Sequence, residues 1–98
     1  MLDKYPVRSS STAYRIINGV AMIAGAPEGK LCTLNKVGTL IWNLGDGKHT
    51  MGEIINRICQ DFEVDYSTAV RDAEAFINQM ENRKMLALAD NPVFEENR

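Results

Sequence analysis

The chain has 98 residues, 45% of them hydrophobic and 24% charged, and its formal net charge is −2 at pH 7. These values are typical of one small globular domain, and the charge provides no electrostatic attraction to nucleic acid or to anionic lipid. The apolar runs, such as residues 20–24, are far shorter than the roughly 20 residues of a membrane-spanning helix. Residues 1–14 also lack the apolar block of a secretory signal, so we expect a cytoplasmic protein.

The two cysteines, Cys32 and Cys59, are too few for a disulfide scaffold. Neither belongs to a CxxC or Cys/His pattern with the spacing of a zinc site. We therefore expect small buried thiols in a reducing cytosol, no metal site and no cofactor.

Composition divides the chain into three parts. Residues 1–12 contain Pro6 and a Ser-Ser-Ser-Thr run, which predicts a flexible N-terminal arm with little fixed structure. Residues 13–88 carry the apolar patterns of a folded domain, and residues 89–98 form a polar tail.

Three short strands are predicted at the start of the domain, over residues 14–17, 20–24 and 30–34. The dipeptide Asn18-Gly19 between the first two is a strong signal for a two-residue hairpin turn. A looser, glycine-containing turn over residues 25–29 joins the second strand to the third. Three short antiparallel strands with one apolar face need a second layer to cover that face.

The first predicted helix begins at Asn35, whose side chain is suited to accept a free backbone N–H of the first turn. Its apolar positions recur at helical spacing: Val37, Leu40, Ile41 and Leu44. The segment Gly45-Asp46-Gly47 ends the helix and offers a glycine for a left-handed cap.

Two further helices are predicted from their capping residues. Thr50 and Glu53 match the capping box, which begins a helix over residues 51–62. Asp65 is suited to cap a third helix over residues 66–83. The apolar stripe predicted for this third helix alternates steps of four and three: Tyr66, Val70, Ala73, Ile77 and Met80.

The predicted order is three strands, then three helices, then a short extended segment over residues 85–88. The fold class is therefore α+β, with a winged-helix-like domain in which a three-stranded antiparallel sheet precedes three helices. Connections are short, so we expect a single core.

The segment from Leu34 to Leu44, LNKVGTLIWNL, resembles the signature of the PqqD family, together with Asp46-Gly47, Thr50 and Glu53-Ile54. Further points of similarity lie near the end of the domain: Asp72-Ala73, Phe76-Ile77, Met80 and Met85-Leu86. The resemblance extends over residues 13–88.

The resemblance implies a peptide-binding module, the RiPP recognition element. Members of the family bind the leader of a ribosomally synthesised precursor peptide and present it to a modifying enzyme, often a radical S-adenosylmethionine (SAM) protein. The leader is expected to lie as an added strand beside the third strand, in a cleft shared with the last helix. Main-chain bonds to a sheet edge provide affinity, and pockets for alternate side chains provide selectivity.

The expected peptide-binding residues come from that strand and from one flank of the third helix. On the helix, Ala69 and Phe76 widen the apolar stripe, with Asp72 and Gln79 just beyond them, whereas the opposite flank is polar. The predicted set is Lys30, Leu31, Cys32, Thr33, Leu34, Ala69, Asp72, Phe76 and Gln79. We expect no catalytic residues.

Two alternatives come from other classes of protein. One is an adaptor that docks on a partner protein without peptide cargo. The other is a winged-helix DNA-binding protein, but the third helix and its flanks carry four carboxylates against three basic side chains, which disfavours phosphate contacts. An enzyme acting alone is disfavoured because no nucleophile–base or carboxylate pair emerges. The oligomeric state is expected to be a monomer or a weak dimer.

Overall fold

The structure is a computed structural model that describes residues 1–10, 12–24 and 31–93. Its elements, in chain order, are β1 (Tyr5–Arg8), β2 (Ala13–Ile17), β3 (Val20–Ala24), β4 (Leu31–Thr33), α1 (Lys36–Asn43), α2 (Met51–Phe62), α3 (Tyr66–Asn82) and β5 (Leu86–Ala89). Within the described ranges, no helix has both the length and the apolar character needed to cross a membrane. The α+β class and the order of sheet before helices are confirmed.

Strands β2, β3 and β4 form an antiparallel sheet in that order. The turn between β2 and β3 consists of Asn18 and Gly19, with φ values of 53° and 76°. Two consecutive positive φ values define the hairpin turn that the Asn-Gly dipeptide predicts, so this prediction is confirmed. The predicted turn over residues 25–29 and the first residue of the predicted third strand, Lys30, lie outside the described residues.

The three helices begin at the predicted caps. The side chain of Asn35 accepts from the backbone N–H of Gly38 over 2.8 Å at the start of α1. Thr50 and Glu53 form the complete capping box of α2, and Asp65 caps α3. Short-range hydrogen bonds of this kind depend on residues within one turn, which is why the sequence predicts them well.

The end of α1 differs from the prediction of a left-handed glycine cap. The helix ends at Asn43 with Leu44 as its C-cap, whose φ is −86°, and the left-handed glycine is Gly47, with φ 80°. The last carbonyl groups of the helix are instead bound by Arg8, whose Nη1 donates to the oxygens of Trp42 at 2.6 Å and Asn43 at 3.1 Å. A cation at a helix C-terminus also interacts favourably with the helix dipole.

The prediction of a flexible arm over residues 1–12 was wrong for β1. This strand pairs antiparallel with β5, with Tyr5 opposite Ala89 and Arg8 opposite Leu86. The closing segment predicted over residues 85–88 is confirmed as β5. The pairing partner of β1 lies at the far end of the domain, and no local pattern in the first residues reveals a contact of that range.

The core lies between the three-stranded sheet, the three helices and β5. Trp42, Ile41 and Ile23 are fully buried in it. The buried face of α3 consists of Ala69, Ala73, Ile77 and Met80. Ala69 therefore takes the place predicted for Tyr66, whose side chain is 50% exposed.

Candidate functional site

The backbone of β4 has one bonded side and one outward side. The N–H of Leu34 donates to the carbonyl oxygen of Ala21 over 2.9 Å, so the peptide groups of Leu34 face β3. Backbone direction alternates along an antiparallel strand, so Cys32 also faces β3, whereas the N–H and C=O groups of Leu31 and Thr33 point away. No other described strand pairs with β4 on that outward side. The two outward residues therefore offer a template for an added strand.

Side chains of β4 alternate between the two faces of the sheet. Leu31 and Thr33 lie on the outer face, and the Leu31 side chain is 66% exposed. Cys32 is half-buried on the inner face, and Leu34 beside it belongs to the core, with 6% exposure. Leu34 thus supports the strand from within, with its backbone bound to β3, and it does not provide the accessible strand edge that the sequence led us to expect.

The C-terminal half of α3 approaches β4 and the first turn of α1. Near its end, Arg83 Nη1 donates to the Sγ atom of Cys32 over 3.4 Å. In its middle, Phe76 lies against Gly38, where an added Cβ would come 3.0 Å from the ring atom Cε1. Asn35, which caps the turn that holds Gly38, follows Cys32 by about 10 Å of extended chain. The seven residues from Phe76 to Arg83 extend about 10 Å along the helix. The distance between Phe76 and Arg83 therefore matches the distance between the two segments that they contact.

One face of α3 is therefore directed along the strand. Asp72, Phe76, Gln79 and Arg83 follow one another at steps of three and four, which places them on the same side of a helix. Phe76 is half-buried, and the other three are exposed. Of these residues, Arg83 contacts Cys32 of β4, and Phe76 lies against Gly38 in α1. We refer to the region formed by the Asp72–Arg83 face of α3 and by Leu31–Thr33 of β4 as the cleft.

Two outcomes on α3 differ from the sequence-based expectation. Ala69 is fully buried and is thus removed from the accessible face. Ala69 lies at the edge of the predicted apolar stripe of α3. Whether its side chain is buried or exposed depends on how the helix packs on the core. Arg83 was missed as a cleft residue, although its spacing of seven from Phe76 was a usable signal.

Comparison with protein families bears directly on this arrangement. The family described as Coenzyme PQQ synthesis protein D (PqqD) matches residues 10–86. The chain belongs to the PqqD family. Comparison with curated proteins found no match.

A solved structure similar to this PqqD-family chain is described as TbiB1 in complex with the TbiA(beta) leader peptide. The two are 26% identical in sequence and superpose with a TM-score of 0.73. The similarity covers 82% of this chain and 93% of the TbiB1 chain. It therefore includes most of the domain that holds the cleft.

A concave region of the PqqD-family chain lies on the outer face of the sheet and has a volume of about 280 Å³. It is lined by Ala13, Tyr14, Arg15, Ile17, Met22, Ala24 and Leu31. Leu31 belongs to both regions, but no residue of α3 lines the outer one. The concave region thus lies on the side of the sheet that faces away from α3 and meets the cleft at β4.

The loop between α1 and α2 contains a separate polar cluster. His49 Nδ1 lies 3.0 Å from Asp46 Oδ1, which also accepts from the N–H of Lys48 over 2.9 Å. Burial raises the pKa of Asp46, but the hydrogen bonds from Lys48 and His49 together outweigh it, so the pKa lies below its ordinary value of 3.8. In the part of the chain that the structure describes, no group of three His, Cys, Asp or Glu side chains is placed to hold a metal ion. The hydrogen bonds of the Asp46 cluster stabilise the loop between α1 and α2.

Proposed function

We propose that this PqqD-family protein is a cytoplasmic, non-catalytic adaptor for a ribosomally synthesised precursor peptide. It binds the leader segment of the precursor and presents the peptide to a modifying enzyme, for which a radical SAM protein is our first candidate. The observation that carries the proposal is the outward edge of β4 beside the exposed face of α3. The similarity to TbiB1, which was solved with a leader peptide, supports it.

Binding would add the leader to the sheet as a further strand. The outward N–H and C=O groups of Leu31 and Thr33 provide main-chain hydrogen bonds. These bonds depend little on which side chains the leader carries. Alternate leader side chains then point into the cleft, toward Phe76, or onto the outer face of the sheet. Selectivity would arise from these side-chain contacts and affinity largely from the backbone ladder.

The chemistry of the cleft supports an adaptor rather than an enzyme. Its nucleophilic side chain is Cys32, and the neighbour that contacts the Sγ atom is Arg83. A guanidinium stays protonated and cannot relay a proton, and among the described residues no imidazole or carboxylate contacts the Sγ atom, so Cys32 lacks a general acid–base partner. Catalysis would then belong to the partner enzyme.

An NMR titration of the full chain tests the proposal. The titrant is the synthetic leader of a candidate precursor chosen from the reading frames next to this gene, added to isotope-labelled protein. We expect saturable shifts in Leu31–Thr33 and in the Phe76–Arg83 face of α3. Shifts confined to α2, or none at all with the leader in excess, would refute peptide binding at the cleft.

The outer concavity supports a second, compatible role in docking the partner enzyme. Its exposed apolar side chains include Ile17, at 47%, and Leu31. Sedimentation velocity on the chain alone should show a monomer or a weak dimer. Addition of the candidate enzyme should then give a faster-sedimenting complex, and substitution of Ile17 by Asp should weaken it while leaving leader binding intact.

A further inference from the structure

We propose that Arg83 selects peptides that carry an aspartate or glutamate at the position facing Cys32 in the added strand. This inference rests on the proposed function and names the chemical class of one side chain in the bound peptide. Its basis is the contact from Arg83 Nη1 to Cys32 Sγ, which holds a guanidinium at the edge of the sheet.

Arg83 is fixed at the end of α3. Its backbone N–H donates to the carbonyl oxygen of Gln79 over 3.2 Å. The next residue, Lys84, has a left-handed backbone with φ 58° and turns the chain toward β5. The Arg83 side chain thus projects from an ordered helix end toward β4, where its contact with Cys32 Sγ orients the guanidinium.

The charge of Arg83 has no carboxylate partner among the described residues. The four ion pairs found there join other groups. One helical turn before Arg83, the neighbouring positions are Gln79 and Met80, which are uncharged. The sulfur of Cys32 is a weak acceptor. A peptide carboxylate would therefore gain a charge-assisted bond, with the option of bidentate geometry.

The register of the added strand defines which peptide residue meets Arg83. A strand bonded to Leu31 and Thr33 places the residue between those bonds directly opposite Cys32, and opposite residues share a face of the sheet. That side chain points into the cleft beside Arg83. The residue two positions away, toward the C-terminal end of β4, approaches Phe76 and should be apolar. The preferred peptide thus pairs an acidic with an apolar residue at a spacing of two.

A displayed library of short random peptides tests this preference with the full chain as bait. We expect the wild type to enrich Asp or Glu two positions from an apolar residue. Arg83→Glu should lose that preference and favour Lys or Arg instead. Arg71→Glu is the matched control, because Arg71 is an exposed arginine of the same helix that lies about 140° around the axis from Phe76.

The affinity of one enriched acidic peptide for the wild type and for each variant measures the contribution of Arg83 to binding. Arg83→Glu should weaken its binding about tenfold or more, since a favourable charged contact becomes a repulsive one. A peptide with Lys in place of the acidic residue should recover affinity for that variant. Circular dichroism confirms that each variant is folded.

The outcomes separate the inference from the proposed function. Enriched peptides without an acidic preference, or with one that Arg83→Glu leaves unchanged, would overturn the role of Arg83 and leave peptide binding in place. If the folded wild type enriches no peptide at all, both the inference and the proposed function fail.

Discussion

The backbone N–H of Leu34 donates to the carbonyl oxygen of Ala21 over 2.9 Å, and this bond sets the direction of the peptide groups along β4. Because direction alternates from residue to residue, the N–H of Thr33 points away from β3. A strand that added to the sheet would use this donor. The same bond keeps Leu34 in the core, so the bonded and outward sides of β4 have separate roles.

Replacement of Thr33 by proline should weaken leader binding at least about tenfold, because proline removes the outward N–H and its ring occupies the strand edge. Stability should change less than binding, since the lost N–H does not bond to β3. Isothermal titration with the leader and urea unfolding measure the two effects.

Two controls accompany the Thr33→Pro experiment. Thr33→Val keeps the N–H and the shape of the side chain, so it should bind the leader like the wild type. Cys32→Pro removes an N–H that faces β3 and should lower the free energy of unfolding clearly more than Thr33→Pro. Equal affinity of Thr33→Pro and Thr33→Val would exclude strand addition at β4.

Gly38→Ala should disturb the contact between α1 and α3. An added Cβ would lie 3.0 Å from Phe76 Cε1 and 3.2 Å from Asn35 Oδ1. Overpacking costs about 1–3 kcal/mol, whereas alanine gains about 1 kcal/mol of helix propensity over glycine. We expect a net loss of about 1 kcal/mol in the free energy of unfolding, measured in urea.

The double variant provides the control for Gly38→Ala. Phe76→Leu removes the ring atom that meets the new Cβ, so in that background Gly38→Ala should be neutral or stabilising. If the cost of Gly38→Ala is the same in both backgrounds, Phe76 does not cause it.

Thr50→Ala should destabilise the protein by about 1 kcal/mol, because it removes the acceptor for a free N–H in the first turn of α2. In the structure the Thr50 hydroxyl accepts from Glu53 N over 3.1 Å, and Glu53 Oε1 accepts from Thr50 N over 2.7 Å. Glu53→Gln preserves an acceptor for the second bond and should cost much less. Thermal and urea unfolding compare the two variants, and equal losses would contradict the assigned role of Thr50.

The Asp46 cluster predicts a pH-dependent contribution to stability. The folded-state pKa of Asp46 lies below its ordinary value of 3.8, so the stabilisation is fully present above that value. It is lost as the pH falls through the lower folded-state pKa. The difference in the free energy of unfolding between wild type and Asp46→Asn should therefore be largest well above pH 3.8 and shrink below it.

His49→Ala should give part of the Asp46→Asn effect, because the N–H of Lys48 still bonds to Asp46 in that variant. Urea unfolding across the acid range measures both variants. A difference between wild type and Asp46→Asn that stays constant to the lowest pH would show that the carboxylate charge is not responsible.

The hairpin turn and the helix starts of this protein follow from its amino-acid sequence. The hairpin at Asn18-Gly19 and the helix starts at Asn35, Thr50 and Asp65 follow from the residues alone. In each case the groups that form the turn or cap lie within a few positions of one another, so their preference survives without a tertiary context. The family signature includes several of these capping residues: Asn35, Thr50 and Glu53.

Which surfaces of the protein face each other depends on the packing of the whole chain. The pairing of β1 with β5, the burial of Ala69 and the contact between Cys32 and Arg83 all join segments that are distant in sequence or depend on the packing of a whole helix. Such contacts form only once the entire core has closed, because each by itself does not offset the entropy of ordering the chain between its ends. The strand β4 could thus be predicted from the sequence, and the spacing of seven from Phe76 places Arg83 on the same face of α3. The contact between Arg83 and Cys32 appears only in the folded chain.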